Sequence, residues 1–592
     1  MKNYYDCIIA GFGTAGAVAA IAAGRNGASV LVLEKNTCPG GTHTAGGVCG
    51  YYGQEPLGIM LELDEKCRAV SAQDKWGESL CEIKKHLIEQ ECAKIKVDIC
   101  YEAVITACRL ENRQIQEIFW QDSAGEHSAS AHCFIDATGD ALLCGLAGVP
   151  LSCGRASDHL FQPYTYSMLS MARNAIQVRN FDAGRIDPYC EDEFSRTLLE
   201  GSQVHLKEEY SHDRDLIAPA DLPGIREGKR LLIPRPYTLE EFFRNQDQCE
   251  EPVYYAFSNL DTHANDMALE NDLFCEWMIG CSMWGFNLGI PVPRRVLSAA
   301  GAGVSNLLVA GRNIAVDHNL GHALRMNALM AGLGEAAGTI AAFSSSLKVL
   351  PDEVPYRKFA HLLPLNPHVV KDNCLIRCTD EEHIRGELDS DCPGMAMWSA
   401  RANVPSETLT CWMTEAPEKS ELRCHSAMVL AMKRNPAGLE ELCRMVRERD
   451  SYVPVHSRKY NHQRGYSALF CLRLLDDCRT FPLFRDVLLA DDPDSIYQYH
   501  THAIAGLVRL GGKYADLRHE AALVLRKRAE DPDWKLESRL KGTKATLKRM
   551  DPVFRVYIAR TLKCWGEGNR IADVMNRMEL DSFEKFLKEK IV

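Results

Sequence analysis

The chain has 592 residues, of which 46% are hydrophobic and 25% are charged, and its formal net charge is −12. This length exceeds what one hydrophobic core usually serves, so we expect two or three domains. The composition excludes collagen-like, disordered and membrane classes, and the negative charge argues against nucleic acid as the main partner.

The start of the chain gives no sign of export. The sequence enters a strand at residues 4–10 without the apolar segment and cleavage site of a signal peptide. No apolar run reaches the length of about 18 residues that a membrane-spanning helix needs. We therefore expect a cytoplasmic protein that makes no membrane contact. Its 24 cysteines should then stay unpaired, and the spaced pair Cys374 and Cys378 is weak support for a structural metal.

The first elements predict a nucleotide-binding unit. A buried parallel strand over residues 4–10 runs into Gly11-x-Gly13-x-x-Gly16, and a helix of small residues follows. In such a unit Gly11 makes the turn, Gly13 lets a pyrophosphate approach the backbone, and Gly16 lets the helix pack on the sheet. A second apolar strand ends at Glu34, where a carboxylate can accept ribose hydroxyls.

The segments after Glu34 favour FAD over a nicotinamide cofactor. A glycine-rich loop over residues 35–53 replaces a regular continuation of strands and helices, and such a loop can lie along an extended ligand. Residues 134–140 and 306–313 each combine an apolar strand with a glycine turn, and a Gly- and Ala-rich helix follows Arg325. There is no second well-ordered dinucleotide fingerprint, which argues against a dedicated NAD(P)H domain.

This set of segments resembles the glutathione-reductase-like FAD superfamily, and within it a bacterial family known as FAD-dependent oxidoreductases. The resemblance covers about residues 4–345 and implies FAD as the cofactor. Relatives often carry an aspartate where this chain has Arg312, so carboxylate contact with the ribityl chain is in doubt there. The residues expected to hold FAD are Gly11, Gly13, Thr14, Ala15, Gly16, Glu34, Lys35, Gly40, Gly41, Thr42, Thr44, Ala137, Gly139, Asp140, Gly311, Arg312, Arg325 and Asn327.

The fold class expected is α/β, with a Rossmann-type FAD-binding domain, an inserted α+β substrate domain and a C-terminal α-helical region. The predicted boundaries are 1–150 and 291–346 for the FAD-binding domain, 151–290 for the insert, 347–424 for a β-containing connector and 425–592 for the helical region. Amphipathic helices over 425–433, 465–475, 501–510 and 554–565 recur about every 40 residues, as in HEAT-like pairs. Such a region is either a stabilising or self-associating appendage or a docking surface for a protein partner.

Flavin chemistry needs an acid or base beside the reacting carbon. His43 lies in the glycine-rich loop, where three roles stay open: catalysis, a hydrogen bond to the loop backbone, or a covalent bond to the flavin. His318, His322 and Arg325 form a second group; the two histidines have metal-ligand spacing but lack the Glu of H-E-x-x-H, so we assign no metal. Asp261 and His263 are a third, weaker candidate.

The leading hypothesis is an FAD-dependent oxidoreductase that transfers a hydride between flavin N5 and a small polar organic substrate. Two alternatives stay open. The helical region could make the protein mainly a binding module, or the flavin could react with O2 as in a monooxygenase. The sequence does not indicate the substrate.

Overall fold

The structure is a computed structural model that describes residues 2–74, 80–172, 175–208, 215–245, 248–264, 266–370, 378–455, 462–491, 498–538 and 548–589. Cys374, one half of the spaced cysteine pair, lies outside these residues.

Strands and helices alternate in the first part of the chain. Its elements are β1 (Tyr4–Ala10), α1 (Thr14–Arg25), β2 (Val30–Leu33), α2 (Gly58–Asp74), α3 (Cys81–Lys94), β3 (Asp98–Cys100), β4 (Val104–Glu111), β5 (Gln114–Asp122), β6 (Gly125–Asp136), α4 (Leu142–Leu146) and β7 (Leu151–Ser152). The strand, turn, helix and strand predicted at the N-terminus are all present.

The middle of the chain adds further strands and the helix that closes the FAD-binding part. These elements are β8 (Tyr164–Ala172), β9 (Ala175–Gly184), α5 (Glu191–Glu208), β10 (Asp215–Pro219), β11 (Arg230–Leu231), α6 (Leu239–Arg244), β12 (Pro252–Ser258), α7 (Asp272–Cys275), β13 (Leu288–Pro293), β14 (Leu307–Val309), α8 (His318–Gly321) and α9 (Asn327–Leu347).

The central sheet is parallel where it positions the site. β3, β2, β1 and β6 lie side by side, and β14 pairs with the end of β6, all in parallel register. The first half of β6 instead pairs antiparallel with β5, which continues into β4. β1 and β2 are buried on both faces, as expected for a parallel sheet covered by helices.

α9 covers the sheet by packing closely on α1. A side chain at Gly334 would stand 2.1 Å from the carbonyl oxygen of Ala15, and one at Gly338 would stand 2.2 Å from that of Ala19. The two helix backbones can approach this closely only because both positions are glycine. The close approach fixes where the first residue of α9, Asn327, meets the sheet.

A second, smaller sheet lies within residues 151–290. β8, β9 and β10 pair antiparallel in the order β10-β8-β9, and α5 packs against β9. Tyr164, Tyr166, Met168 and Ile186 form a small core of their own there. The assignment of residues 151–290 to a substrate domain stays a prediction.

The last part of the chain is helical. Its elements are α10 (Tyr356–Phe359), α11 (Glu381–Leu388), α12 (Gly394–Asn403), α13 (Ser406–Glu415), α14 (Glu421–Met432), α15 (Leu439–Arg447), α16 (Arg464–Leu474), α17 (Phe481–Leu489), α18 (Tyr499–Lys513), α19 (Ala515–Ala529), β15 (Glu537–Ser538), β16 (Lys548–Arg549), α20 (Asp551–Cys564), α21 (Ile571–Met575) and α22 (Ser582–Glu589). All four helices predicted after residue 425 are confirmed as α14, α16, α18 and α20. Their likeness to HEAT pairs stays a prediction.

The β-containing connector predicted over 347–424 is wrong in its secondary structure. The described residues of that stretch form helices and no strand. Two prolines of this stretch stand at helix starts: Pro393 caps α12 and Pro405 caps α13. Proline is tolerated there because the first N–H groups of a helix have no partner within the helix.

The cysteine expectation also needs a correction. A disulfide joins Cys49, in the glycine-rich loop, to Cys81 at the start of α3. Sequence spacing gave no hint of it, since 32 residues separate the two cysteines. Among the described residues, no helix has both the length and the apolar character needed to cross a membrane.

Candidate active site

Three glycine turns meet at one edge of the central sheet. Gly11, Gly139 and Gly311 each follow a strand, β1, β6 and β14 respectively, and each has positive φ, at 92°, 79° and 133°. β1 and β14 both pair with β6 up to Asp136, so the three strands end side by side. The carboxyl edge of a parallel sheet is where such folds bind their ligands.

The first of these turns has the shape of a phosphate cradle. A side chain at Gly16 would stand 2.0 Å from the carbonyl oxygen of Gly11, and one at Gly11 would stand 2.7 Å from that of Ala137, so both glycines are needed for packing. At Gly13, by contrast, a side chain would meet nothing within 4 Å among the described residues. Gly13 begins α1 without a side-chain cap, which leaves the first N–H groups, from Thr14 on, free to bind an anion.

The glycine-rich loop returns to this cradle. Gly40 forms a parallel bridge with Gly13, and the hydroxyl of Thr14 donates to the carbonyl of Gly40 at 3.1 Å. A side chain at Gly41 would stand 3.0 Å from the Cα of Gly13. Thr44 is buried and donates to the Pro39 carbonyl at 2.5 Å. The loop therefore borders the open space at Gly13.

Glu34 stands where the sequence predicts it, and it also has a structural role. Its carboxylate accepts the backbone N–H of Phe12 at 2.6 Å and that of Asn36 at 2.8 Å. The side chain is thereby fixed between the glycine turn and the loop. Lys35 next to it is exposed, and Thr42 is half-buried, with its carbonyl accepting the N–H of Val48.

Arg312 forms an ion pair directly after the third glycine turn. The guanidinium of Arg312 lies 2.8 Å from the carboxylate of Asp140. A side chain at Gly139 would stand 2.7 Å from the same guanidinium. Asp140 also accepts the hydroxyl of Tyr189 at 3.1 Å. The pair links the second and third glycine turns, so the charge of Arg312 is locally balanced.

Asn327 ties the glycine-rich loop to the start of α9. Its amide donates to the carbonyl of Val48 at 2.8 Å and to that of Gly50 at 3.2 Å. Met326 caps the helix without a side-chain hydrogen bond, so the first N–H groups of α9 stay available at the same edge.

A chain of charged side chains starts at Arg325, two residues earlier. Arg325 donates to the carboxylate of Asp261 at 3.2 Å, and Asp261 lies 2.6 Å from Nε2 of His263. Nδ1 of His263 lies 2.9 Å from Asp182, which also binds Arg226 at 2.6 Å. Two sequence candidates, Arg325 and the pair Asp261 and His263, thus belong to one network, which we call the Arg325–Arg226 network.

The charges in this network stabilise one another. Burial alone would raise the pKa of Asp261, but the charges of His263, Arg325 and Arg226 outweigh burial and lower it. Burial lowers the pKa of Arg325 to about 10, which still leaves it charged at neutral pH. His263 is the most accessible member, with 28% of its side chain exposed against 10% for Arg325.

The segment that carries His263 has features of a ligand site. His263 has a positive φ of 54°, a conformation that is uncommon for non-glycine residues. Nearby, the side-chain amide of Asn259 and the hydroxyl of Thr262 are fully buried and have no hydrogen-bond partner in the described part of the chain. Buried polar atoms without partners are costly, and a bound ligand is one way to satisfy them.

His43 lies in a buried cluster beside the loop. Its Nδ1 is 3.2 Å from the Val48 carbonyl, and its Nε2 is 3.0 Å from the hydroxyl of Tyr51 and 2.6 Å from Nζ of Lys84. Lys84 in turn forms a 2.5 Å ion pair with Asp64. Burial and the charge of Lys84 hold the pKa of His43 well below its usual range, so the ring is neutral.

His318 and His322 lie next to the Arg325–Arg226 network. Nδ1 of His318 is 2.8 Å from Glu227, and its Nε2 is 3.2 Å from Glu270. Burial would lower the pKa of His318, but these two carboxylates outweigh it and raise the pKa to about 9. Burial and the nearby charge of His318 lower the pKa of His322 well below its usual range. Both rings are buried.

Several residues of the site were missed by the sequence. They are distant in sequence from the residues they contact, and only the fold brings them to Arg325 or the histidines. These residues are Lys84, Gln162, Asp182, Arg226, Glu227 and Glu270.

The residues present fit FAD. The open space at Gly13, the uncapped start of α1, Glu34 at the end of β2 and the buried unpartnered atoms of Asn259 and Thr262 together suit a long ligand with phosphate, ribose and ring parts.

Comparison with known families agrees with this geometry. The family model described as FAD dependent oxidoreductase matches residues 6–221 and 195–363, more than half of the chain. The chain therefore belongs to the FAD-dependent oxidoreductase family. It is an oxidoreductase enzyme with FAD as its cofactor.

Solved structures give weaker similarities, and no curated protein matches this chain. A 3-ketosteroid-Δ4-(5α)-dehydrogenase from Rhodococcus jostii RHA1 is 13% identical over 58% of this chain and 97% of its own, with a TM-score of 0.27. A geranylgeranyl bacteriochlorophyll reductase-like protein from Thermoplasma acidophilum is 12% identical over 75% and 100%, with a TM-score of 0.33. The flavin-dependent brominase Bmp2 is 11% identical over 65% and 86%, with a TM-score of 0.28. At these scores the similarities carry no argument about this chain.

Proposed function

We propose that the enzyme transfers a hydride between FAD and a small polar organic substrate bound against the Arg325–Arg226 network. When bound, FAD supplies a two-electron acceptor or donor at its N5 atom. The observation that carries the proposal is the position of this network. It starts at Arg325, two residues before Asn327, whose amide ties the loop from the phosphate cradle to the start of α9.

The network offers two complementary groups to a substrate. Arg325 is a fixed, charged hydrogen-bond donor suited to a carboxylate, carbonyl or hydroxyl group. His263 is held between Asp261 and Asp182 and is the most accessible member of the chain of charges. In this proposal Arg325 orients the substrate and His263 accepts or donates the proton that accompanies hydride transfer.

The other predicted catalytic residues take positioning roles in this proposal. His43 is only 1% exposed, whereas the side chain of His263 is 28% exposed, so His43 holds the loop at Val48 rather than acting on substrate. His318 binds Glu227, which in turn accepts the backbone N–H of Gln162 at 2.9 Å. The side chain of Gln162 accepts a hydrogen bond from Arg325 at 3.0 Å. His318, Glu227 and Gln162 thus orient the guanidinium of Arg325.

The proposal predicts the behaviour of His263→Asn. Removing a general acid or base typically slows the chemical step by about 10²–10⁴-fold. We expect the variant to bind FAD as the wild type does but to be reduced more slowly by a substrate found in an anaerobic screen of polar metabolites for flavin bleaching. The matched control is His127→Asn. His127 is also paired with an aspartate, Asp122, at 2.9 Å and is 29% exposed, but it lies on the β5–β6 hairpin.

The same measurements decide against the proposal in specific cases. Equal reduction rates in His263→Asn and the wild type would remove His263 from the chemistry. Rapid reoxidation by O2 with the spectrum of an oxygenated flavin would favour a monooxygenase. If the bound flavin can be neither photoreduced nor reoxidised, a binding module is favoured. The helical region would then provide the function.

A further inference from the structure

Three buried side chains near the site form a ligand set, and the proposed chemistry uses only one of them, His318, through its contact with Glu227. His318 and His322 are one helical turn apart, and Glu270 comes from the segment before α7. One potential ligand atom from each lies within 4.8 Å of the other two. Two imidazoles and one carboxylate are the ligand types that Zn²⁺ and related divalent transition ions select.

His322 provides an independent reason to place a ligand here. Its ring is 1% exposed, and neither ring nitrogen has a hydrogen-bond partner in the described part of the chain. The rings nearest to it are those of Phe274, at 5.2 Å between centroids, and His318, at 4.8 Å. An unpaired buried imidazole costs free energy that a metal bond would recover.

The groups around the three ligands are arranged as around a metal. Glu227 accepts from Nδ1 of His318 at 2.8 Å, which leaves Nε2 for the ligand position, and carboxylates bind metal-ligating histidines in this way. Glu270 is held by Asn319 at 2.9 Å and by Arg155 at 3.3 Å.

The local charge balance also has room for a cation. Four carboxylates in this cluster share three guanidinium groups, which leaves one negative charge. The carboxylates are Asp158, Glu227, Asp266 and Glu270, and the guanidinium groups are Arg155, Arg185 and Arg230.

We propose that Glu270, His318 and His322 supply three ligands of a buried divalent transition ion, Zn²⁺ in the first instance. The three ligands are at most 8% exposed, so the ion would be closed to substrate. The ion would join α8 to the segment 268–272, which contains Glu270. This segment contacts the C-terminal helices, because Arg473 of α16 donates to the Ala268 carbonyl and Arg509 of α18 binds Asp272. The metal site is inferred from its own ligands and does not rest on the proposed hydride transfer, although His318 also binds Glu227.

The first test measures metal in the full-length wild-type protein. After incubation with Zn²⁺ and removal of unbound ion, we expect about one zinc per chain by elemental mass spectrometry, as one closed site requires. Replacement by Co²⁺ distinguishes the ligands. A visible cobalt spectrum without sulfur-to-cobalt charge transfer is expected for nitrogen and oxygen ligands, whereas charge transfer would assign the metal to cysteines and overturn the proposal.

The second test compares variants with a matched control. His322→Gln and Glu270→Gln should each lower the zinc content at least tenfold. The control is His502→Gln, because His502 is also a fully buried histidine with two unpartnered nitrogens, but its ring packs against Tyr466 and Phe470. It should keep the wild-type zinc content.

Two results would overturn the proposal: a wild type that retains no zinc, or a His322→Gln protein with as much zinc as the wild type. If the variants do not fold, the wild-type cobalt spectrum still decides the question.

Discussion

At the scale of single residues, Gly13 and Gly16 have different roles: we expect Gly16 to matter for folding and Gly13 for cofactor binding. A side chain at Gly16 would overlap the Gly11 carbonyl, whereas one at Gly13 would enter open space next to α1. We expect Gly16→Ala to lower the free energy of unfolding of the FAD-free protein by at least about 1–3 kcal/mol, the usual cost of overpacking. Gly13→Ala should leave it unchanged, because the φ of −69° suits alanine.

The FAD affinity of the Gly13→Ala protein should nevertheless fall at least about tenfold, which corresponds to about 1.4 kcal/mol. A methyl group would stand in the space where the pyrophosphate is expected. Fluorescence titration with FAD and thermal melts of the FAD-free proteins measure the two effects separately. If Gly13→Ala bound FAD as tightly as the wild type, the phosphate cradle would not be at this turn.

At the scale of elements, Glu335 of α9 couples this helix to the start of α2. Its carboxylate accepts the N–H of Ile59 at 3.1 Å, and burial raises its pKa to about 7 from 4.5. The folded state therefore favours protonated Glu335 more than the unfolded state does. Its contribution to stability is present below about pH 4.5 and is lost as the pH rises through 7.

Glu335→Gln should remove this loss, because glutamine stays neutral and can still accept from Ile59. We expect the variant to be more stable than the wild type at pH 8 by about 1–3 kcal/mol and nearly equal to it at pH 5. Urea unfolding at both pH values measures the difference. Glu126→Gln, at an exposed position, is the control and should show no such change. A constant difference between Glu335→Gln and the wild type at both pH values would contradict the assignment.

The elements that the sequence predicted well are those that are determined by residues close together in the sequence. The turn at Gly11, Gly13 and Gly16 and the strands on either side of it follow from one contiguous stretch, and the C-terminal helices follow from their own apolar faces. The connector prediction is wrong because scattered prolines do not exclude helices: Pro393 and Pro405 stand at helix starts, where proline is tolerated.

The site was harder to predict than the elements, because its members are distant in sequence. Asp182 is 81 residues from His263, and Glu270 is 48 residues from His318. The parallel sheet predicts that the three glycine turns meet, since they end adjacent strands. No periodicity marks Gln162 or Asp182, which the inserted segment brings to Arg325 and His263 respectively. The Cys49–Cys81 disulfide is a further case of a contact that only the fold reveals.

At the scale of the whole molecule, the FAD-binding part and the C-terminal helices share one core. Buried residues from β1 to α22 belong to a single hydrophobic cluster. Polar contacts join the C-terminal helices to the inserted segment as well: the hydroxyl of Ser467 in α16 donates to the Ile279 carbonyl at 2.8 Å, and Arg434 binds Glu276 at 2.8 Å. The helical region is therefore part of the packing that holds the residues next to the site.

This shared core predicts cooperative unfolding, which Phe470→Ala tests. Phe470 of α16 is fully buried, and its ring would be 3.4 Å from a side chain at Gly280. Truncating a buried phenylalanine costs about 3–5 kcal/mol, and here the loss should fall on both parts of the chain. In urea, loss of helical circular dichroism and release of FAD should therefore coincide in the wild type, and both should move to lower urea by the same amount in the variant. If α16 did not contribute to the stability of the FAD-binding part, the circular dichroism transition of the variant would shift to lower urea. FAD release would then occur at the same urea concentration as in the wild type.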